Sequence, residues 1–113
     1  PNNIKVIFDP VNLFTTKDAQ NAAFQAEHWK SWLAVIGKQL GAMHCKDCRI
    51  EPDDTKTLVA WQGQMDYAPI LDWLAQYAPE TPLIRDEVIL ECAPADIKIL
   101  HQMQQSIEEK RMK

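Results

Sequence analysis

The chain has 113 residues, of which 46% are hydrophobic and 25% are charged, and its net charge is -4. A chain of this length and composition supports one core and lies far from the composition of disordered proteins. The acidic balance weighs against nucleic acid as a partner, because phosphate binding relies on clustered lysine and arginine. No apolar run approaches the roughly 20 residues that span a bilayer, so we expect one cytoplasmic domain over residues 1–113 that binds no membrane.

The first two predicted elements are a strand and a long helix. Residues 4–8 are rich in β-branched and aromatic side chains, which favour a strand. Large apolar side chains then recur at helical spacing between residues 16 and 40, with Thr15 or Thr16 as the N-cap and Gly41 as the stop. The stripe consists of Ala22, Ala26, Trp29, Leu33, Ile36 and Leu40. Phe24, Trp32 and Val35 widen it, as is typical of a helix that packs across a sheet.

The rest of the chain predicts a hairpin, two further helices and a last strand. Residues 49–51 and 57–61 are short β-type runs joined by turn-forming residues. Helical spacing returns between residues 67 and 78, and a third helix begins at Pro94. Between these helices, residues 83–92 alternate apolar and acidic side chains, which indicates an edge strand.

The predicted order is strand, helix, strand, strand, helix, strand, helix. Its first six elements form the split βαβ pattern of the ferredoxin-like fold. We therefore predict an α+β domain with a four-stranded antiparallel sheet, two crossover helices on one face and an appended C-terminal helix. The first strand is expected inside the sheet, because Ile7 makes its second face apolar.

A pair of closely spaced cysteines is the one local motif that suggests a cofactor. Cys45 and Cys48 are separated by two residues and could share one tetrahedral zinc ion, with Cys92 and His101 as the other ligands and His44 as a substitute. The pair follows a predicted helix, whose C-terminal dipole disfavours the thiolate needed for redox work. The alternative is a pair of reduced, packed cysteines with no cofactor.

The acidic side chains form no recognisable metal loop. Asp53 with Asp54 and Asp86 with Glu87 lack the ligand periodicity of a calcium loop. We interpret them as turn and edge charges. The chain has three glycines, which leaves no glycine-rich loop that could cradle a phosphate.

Four tryptophans are more than one small core readily buries. Trp73 and Tyr77 lie four residues apart on the second helix, and Pro69 lines up with them one turn earlier. Aromatic side chains are enriched in protein-binding hot spots, so these three residues are predicted to bind a partner protein. The alternative is that the C-terminal helix packs over them.

Three functions remain open from the residues alone. The leading hypothesis is a non-catalytic protein-binding module, such as a small regulator, inhibitor or assembly factor, that docks another protein through the aromatic face. A zinc-stabilised domain built on Cys45 and Cys48 is the first alternative, and a small enzyme whose polar groups converge only in three dimensions is the second. The long apolar helix is also a candidate seam for a homodimer.

Overall fold

The structure is a computed structural model that describes residues 3–112. The strands are β1 (Val6–Phe8), β2 (Leu40–His44), β3 (Asp47–Ile50), β4 (Lys56–Val59) and β5 (Leu83–Ile84). The α-helices are α1 (Pro10–Leu13), α2 (Thr16–Gln20), α3 (Ala22–Ile36), α4 (Ala68–Tyr77) and α5 (Ala93–Arg111). Two short 3-10 turns span Gly37–Gln39 and Leu90–Cys92.

The strands form a parallel sheet and a separate antiparallel hairpin. The sheet has the order β1-β2-β5, and β3 pairs only with β4. The predicted ferredoxin-like antiparallel sheet is therefore wrong, because the hairpin that was expected to supply two of its strands stands apart. The first strand also lies at an edge of the sheet, and β2 occupies the centre.

The central strand, β2, is the element that the sequence does not predict. Leu40–His44 contains no β-branched residue and includes a glycine, so the sequence predicts the end of a helix at Leu40 and Gly41 and no strand after it. A Cβ at Gly41 would lie 2.8 Å from Lys5 Cβ, so the glycine permits β1 and β2 to approach each other. Parallel strands are commonly buried on both faces and then lack an alternating pattern.

The predicted long helix is two helices. Asn21 interrupts it and caps α3, where its side chain accepts a hydrogen bond from the Phe24 N–H at 3.0 Å. After Ile36 the chain turns through Gly37, whose φ of 51° is a left-handed conformation that favours glycine. Trp29, Leu33 and Ile36 of the predicted apolar stripe are buried in the core. Ala22 is exposed and Leu40 belongs to β2, so the stripe is shorter than predicted. Trp32 and Val35, which were expected to widen it, are exposed.

The predicted strand over residues 83–92 is mostly irregular. Only Leu83–Ile84 pair with the sheet, at the predicted edge position. Glu87 then takes a φ of 53°, and the chain turns away into the 3-10 segment that precedes α5. The predicted start of the third helix is confirmed, since Pro94 lies in the first turn of α5.

One face of the sheet carries the core, and on the other face the edge strands β1 and β5 leave apolar side chains exposed. Phe8 packs edge-on against Trp29, with ring centroids 6.2 Å apart. On the other face, Ile7 is 56% exposed and Ile84 is also exposed. Within the described part of the chain, no helix has both the length and the apolar character needed to cross a membrane.

Candidate metal centre

Three polar side chains meet at the carboxyl edge of the parallel sheet. Asp9 directly follows β1, His44 is the last residue of β2, and Asp86 comes two residues after β5. Because parallel strands end at the same edge of a sheet, ligands commonly bind in the crevice there. The strand order thus brings together residues that are far apart in sequence.

The imidazole of His44 lies close to both carboxylates. Its Nδ1 atom is 3.4 Å from Asp9 Oδ2 and 3.3 Å from Asp86 Oδ2. One ligand atom from each residue lies within 4.8 Å of the other two, and all three residues are partly exposed. In residues 3–112, no other group of three or more histidine, cysteine or acidic side chains is arranged to hold a metal ion.

Asp9 is held in place by the start of α1. Its Oδ1 accepts a hydrogen bond from the Asn12 N–H at 3.3 Å, and its Oδ2 accepts one from Asn12 Nδ2 at 3.1 Å. Pro10 follows in the first turn of the helix, where its missing N–H is not needed. The Asp-Pro pair therefore ends β1 and also orients a carboxylate toward β2.

Lys46 adds a buried positive charge to this cluster. Its side chain is only 3% exposed, and its Nζ lies 3.1 Å from Asp9 Oδ2 and 3.2 Å from Asp86 Oδ2. Burial lowers the pKa of Lys46, but the hydrogen bonds and charges of the two carboxylates outweigh this effect and raise its pKa above the ordinary value. Lys46 is therefore an ammonium ion at neutral pH.

The ion pair with Lys46 also changes the pKa of Asp86. Burial raises the pKa of its carboxyl group, but the hydrogen bond and charge of Lys46, together with His44, lower that pKa below the ordinary value. Asp86 is therefore ionised at neutral pH. Its Oδ1 is buried and has no hydrogen-bond partner within residues 3–112, so an acceptor remains available at the site.

The backbone of Lys46 is clamped by a tyrosine. The Lys46 N–H donates to Tyr67 Oη at 2.9 Å, and the Tyr67 hydroxyl donates to the Lys46 carbonyl at 2.6 Å. Tyr67 is buried just before α4. This reciprocal pair fixes the chain at the end of β2 without using the Lys46 amino group.

The donor set suits a divalent cation. Catalytic zinc sites use three protein ligands and leave a position open for water or substrate, and imidazole with carboxylates also suits manganese and iron. Two carboxylates and one imidazole converge here on one partly exposed space. Lys46 Nζ contacts one carboxylate oxygen of Asp9 and one of Asp86, so a bound cation would replace it as the positive charge that neutralises these two carboxylates.

The predicted zinc ligands fall outside this cluster. Cys45 and Cys48 are both buried in the hydrophobic core, Cys92 is half-buried in the turn before α5, and His101 is exposed on α5. Burial raises the pKa of Cys45 to about 12 and that of Cys48 to about 11. Because the thiolate is the form that binds metal, burial favours the packed, protonated alternative. Zinc at these four residues stays a prediction.

The predicted partner-binding residues do lie together. Pro69, Trp73 and Tyr77 line one groove of about 1180 Å³ between α3 and α4. The rings of Trp73 and Tyr77 have centroids 5.1 Å apart, and Tyr77 is 62% exposed. The C-terminal helix α5 packs against α4 but leaves this groove open. That a partner binds there remains a prediction.

Sequence reasoning missed Asp9, Lys46 and Asp86 as site residues. Asp9 was not considered as a ligand, and Asp86 was interpreted as an edge charge. Asp9, His44 and Asp86 each end or closely follow an apolar run, and this shared position is the signal in the sequence that could have identified the site. The signal becomes useful only when residues 40–44 are recognised as a strand.

Comparisons with known proteins identify no relative of this chain. No family model, curated protein or solved structure matches the chain.

Proposed function

We propose that this protein is an enzyme that uses a bound divalent cation as a Lewis acid. Asp9, His44 and Asp86 are the proposed ligands of a divalent cation. The observation that carries the proposal is their convergence at the carboxyl ends of three parallel strands, within 4.8 Å of one another. A cytoplasmic location is part of the proposal, because free thiols such as Cys45 and Cys48 suit a reducing compartment.

The chemistry proposed for the site combines a Lewis acid with a nearby ammonium group. A bound divalent cation polarises a carbonyl or hydroxyl oxygen of a substrate. Lys46 contacts both of the carboxylates that would hold the cation, so its ammonium group lies close to the place where a substrate oxygen would bind. There it would stabilise negative charge that develops on a substrate oxygen.

The experiment is a titration with Mn²⁺, followed by calorimetry, for the wild type and for two histidine variants. His44→Ala removes a proposed ligand and should weaken Mn²⁺ binding at least about tenfold, because even outer-shell changes at metal sites typically lower the affinity by about 10- to 100-fold. His101→Ala removes an exposed histidine on α5 and should leave the affinity unchanged. Thermal unfolding of each variant checks that the fold is retained.

Lys46→Met provides a second arm of the same titration. It removes the ammonium group that contacts the carboxylate oxygens of Asp9 and Asp86, so Mn²⁺ should bind at least as tightly as in the wild type. Absence of Mn²⁺ binding by the wild type would overturn the proposal. A loss caused by His101→Ala and not by His44→Ala would favour the cysteine-based zinc site instead.

A second candidate function is docking of another protein, favoured by the groove between α3 and α4. Its floor is apolar and aromatic, and Lys30 and Lys38 lie on the α3 side. Asp72 on the α4 side is neutralised by Lys110 at 2.7 Å, and Lys30 has a looser contact with Glu27 at 3.8 Å. The charges of Lys30 and Lys38 favour an amphipathic partner segment that places carboxylates beside its apolar face. A small regulator, inhibitor or assembly factor would use the groove in this way.

Selection of displayed peptides on the wild-type protein tests this docking function. The selected peptides should be acidic and amphipathic, and Trp73→Ala should weaken their binding at least about tenfold, as expected for a hot-spot tryptophan. Trp32→Ala is the matched control, because Trp32 is exposed on α3 and does not line the groove. Equal binding by both variants would contradict the proposal, and a dimer that Trp73→Ala dissociates would indicate a second copy of this chain as the occupant.

A further inference from the structure

Of the three proposed ligands, Asp86 has the least secondary structure around it to hold it in place. It follows a strand of only two residues and precedes Glu87, whose φ is 53°. Asp9 in contrast caps α1, and His44 belongs to the central strand. A ligand at the end of so short a strand needs other contacts to hold its position.

A buried ion pair lies directly behind Asp86. The guanidinium of Arg85 is 7% exposed, and its Nη1 donates a hydrogen bond to the Asp86 carbonyl at 3.0 Å. Its Nε lies 3.3 Å from Asp96 Oδ1. Asp96 is 3% exposed in the first turn of α5, and Trp61 Nε1 donates to its Oδ1 at 2.7 Å.

This pair is poorly optimised for stability. Within residues 3–112, Arg85 Nε and Asp96 Oδ2 are buried without a hydrogen-bond partner. Removing two charges from water carries a large desolvation penalty, and apolar side chains often replace a buried ion pair without loss of stability. Arg85 and Asp96 therefore need an explanation other than stability, and the contact with Asp86 offers one.

We propose that Asp96, acting through Arg85, is a positioning residue for Asp86, an inference that rests on the proposed metal site. Asp96 fixes the guanidinium against α5 and Trp61. The guanidinium in turn holds the Asp86 peptide, so the carboxylate stays directed toward His44 and Lys46. Outer-shell contacts of this kind orient the ligands of metal sites.

Two measurements on Asp96→Asn test the inference. The asparagine can still accept the Trp61 hydrogen bond but loses the charge that holds Arg85. Mn²⁺ affinity should fall about 10- to 100-fold, and in metal-free protein the Asp86 and Glu87 amide protons should exchange with solvent faster. Glu91→Gln, an exposed acid-to-amide exchange in the preceding turn, should change neither value.

The double variant Arg85→Met with Asp96→Asn separates positioning from stability. It removes both buried charges, so its unfolding temperature should recover toward that of the wild type. If the pair positions Asp86, Mn²⁺ affinity should stay low in this variant despite the recovered stability. Arg85→Lys is a further variant, because one ammonium group cannot reach both the Asp96 carboxylate and the Asp86 carbonyl.

The outcomes distinguish this inference from the metal site itself. If the wild type binds no Mn²⁺ but Asp96→Asn still accelerates amide exchange at Asp86, the metal site fails and the positioning contact stands. If the wild type binds Mn²⁺ and neither Asp96→Asn nor Arg85→Lys weakens that binding, the positioning role is overturned. Recovery of both stability and Mn²⁺ affinity in the double variant would also overturn it.

Discussion

The side chains of residues 44 to 46 point alternately toward the candidate metal site and toward the hydrophobic core. His44 and Lys46 contact the carboxylates of Asp9 and Asp86, whereas Cys45 between them is fully buried. Successive side chains of an extended strand point to opposite faces, which explains this division. The cysteine that suggested zinc in the sequence is thus a core residue, and its two neighbours face the cluster.

Cys45 should make stability depend on alkaline pH. Its pKa is raised by burial from 9.0 to about 12, so the unfolded chain loses this proton at lower pH than the folded protein does. The contribution is fully present below about pH 9 and is lost as pH rises toward 12. The free energy of unfolding, measured by urea denaturation, should therefore fall from pH 9 upward by up to about 1.4 kcal/mol per pH unit for this group.

Cys45→Ala should reduce that pH slope, and Cys92→Ala, at a half-buried position, serves as its control. The slope should not vanish in Cys45→Ala, because burial also raises the pKa of Cys48 to about 11 and raises the pKa of Tyr67. Identical slopes for the wild type and Cys45→Ala would contradict the assignment.

Among the elements, α2 is a helix of five residues that begins with a capping box. Thr15 Oγ1 accepts a hydrogen bond from the Asp18 N–H at 3.3 Å, and Asp18 Oδ2 accepts one from the Thr15 N–H at 2.7 Å. The buried Asp18 also lies 3.0 Å from His28 Nδ1, which ties α2 to α3. The sequence predicted Thr15 as one of two candidate caps, and the structure confirms it.

Thr15→Ala should lower the free energy of unfolding by about 1 kcal/mol, the usual effect of removing an N-cap hydroxyl. Thr16→Ala, one residue inside the helix, should change it by less than about 0.5 kcal/mol. Chemical denaturation of both variants measures the difference. A loss of similar size in both would mean that the capping box does not stabilise α2.

The helices could be predicted from sequence more fully than the strands. Helical spacing located α3 through Trp29 and Leu33, and α4 through Ile70 and Leu74, all of them fully buried. The hairpin was also predicted within a few residues of β3 and β4. These elements carry their own local signal, because each presents a repeating apolar pattern or a turn.

Two strands lacked such a signal. β2 contains Gly41 and no β-branched side chain, so the sequence does not predict it, although the strand is central in the sheet. The alternating residues 83–92 suggested a full strand, but pairing stops at Ile84. Strand pairing depends on neighbours that are distant in sequence, so local patterns misjudge both cases.

At the scale of the whole molecule, the predicted fold is wrong in the direction of the strands of its sheet. The order of predicted elements was compatible with an antiparallel sheet only if the hairpin belonged to it. Once β3 and β4 pair with each other alone, the remaining strands are joined by long crossovers, which is the arrangement of parallel strands. The candidate site then follows, because parallel strands bring their carboxyl ends to one edge.

The long crossovers also determine when the cluster can form during folding. Asp9 and His44 are 35 residues apart in the chain, and Lys46 and Asp86 are 40 residues apart. The hairpin and the helices close short loops, whereas these contacts close two long ones and bear the larger entropic penalty. We therefore expect the cluster to be completed after the local elements. A cation that binds only the completed cluster would join three separate chain segments and stabilise the folded protein.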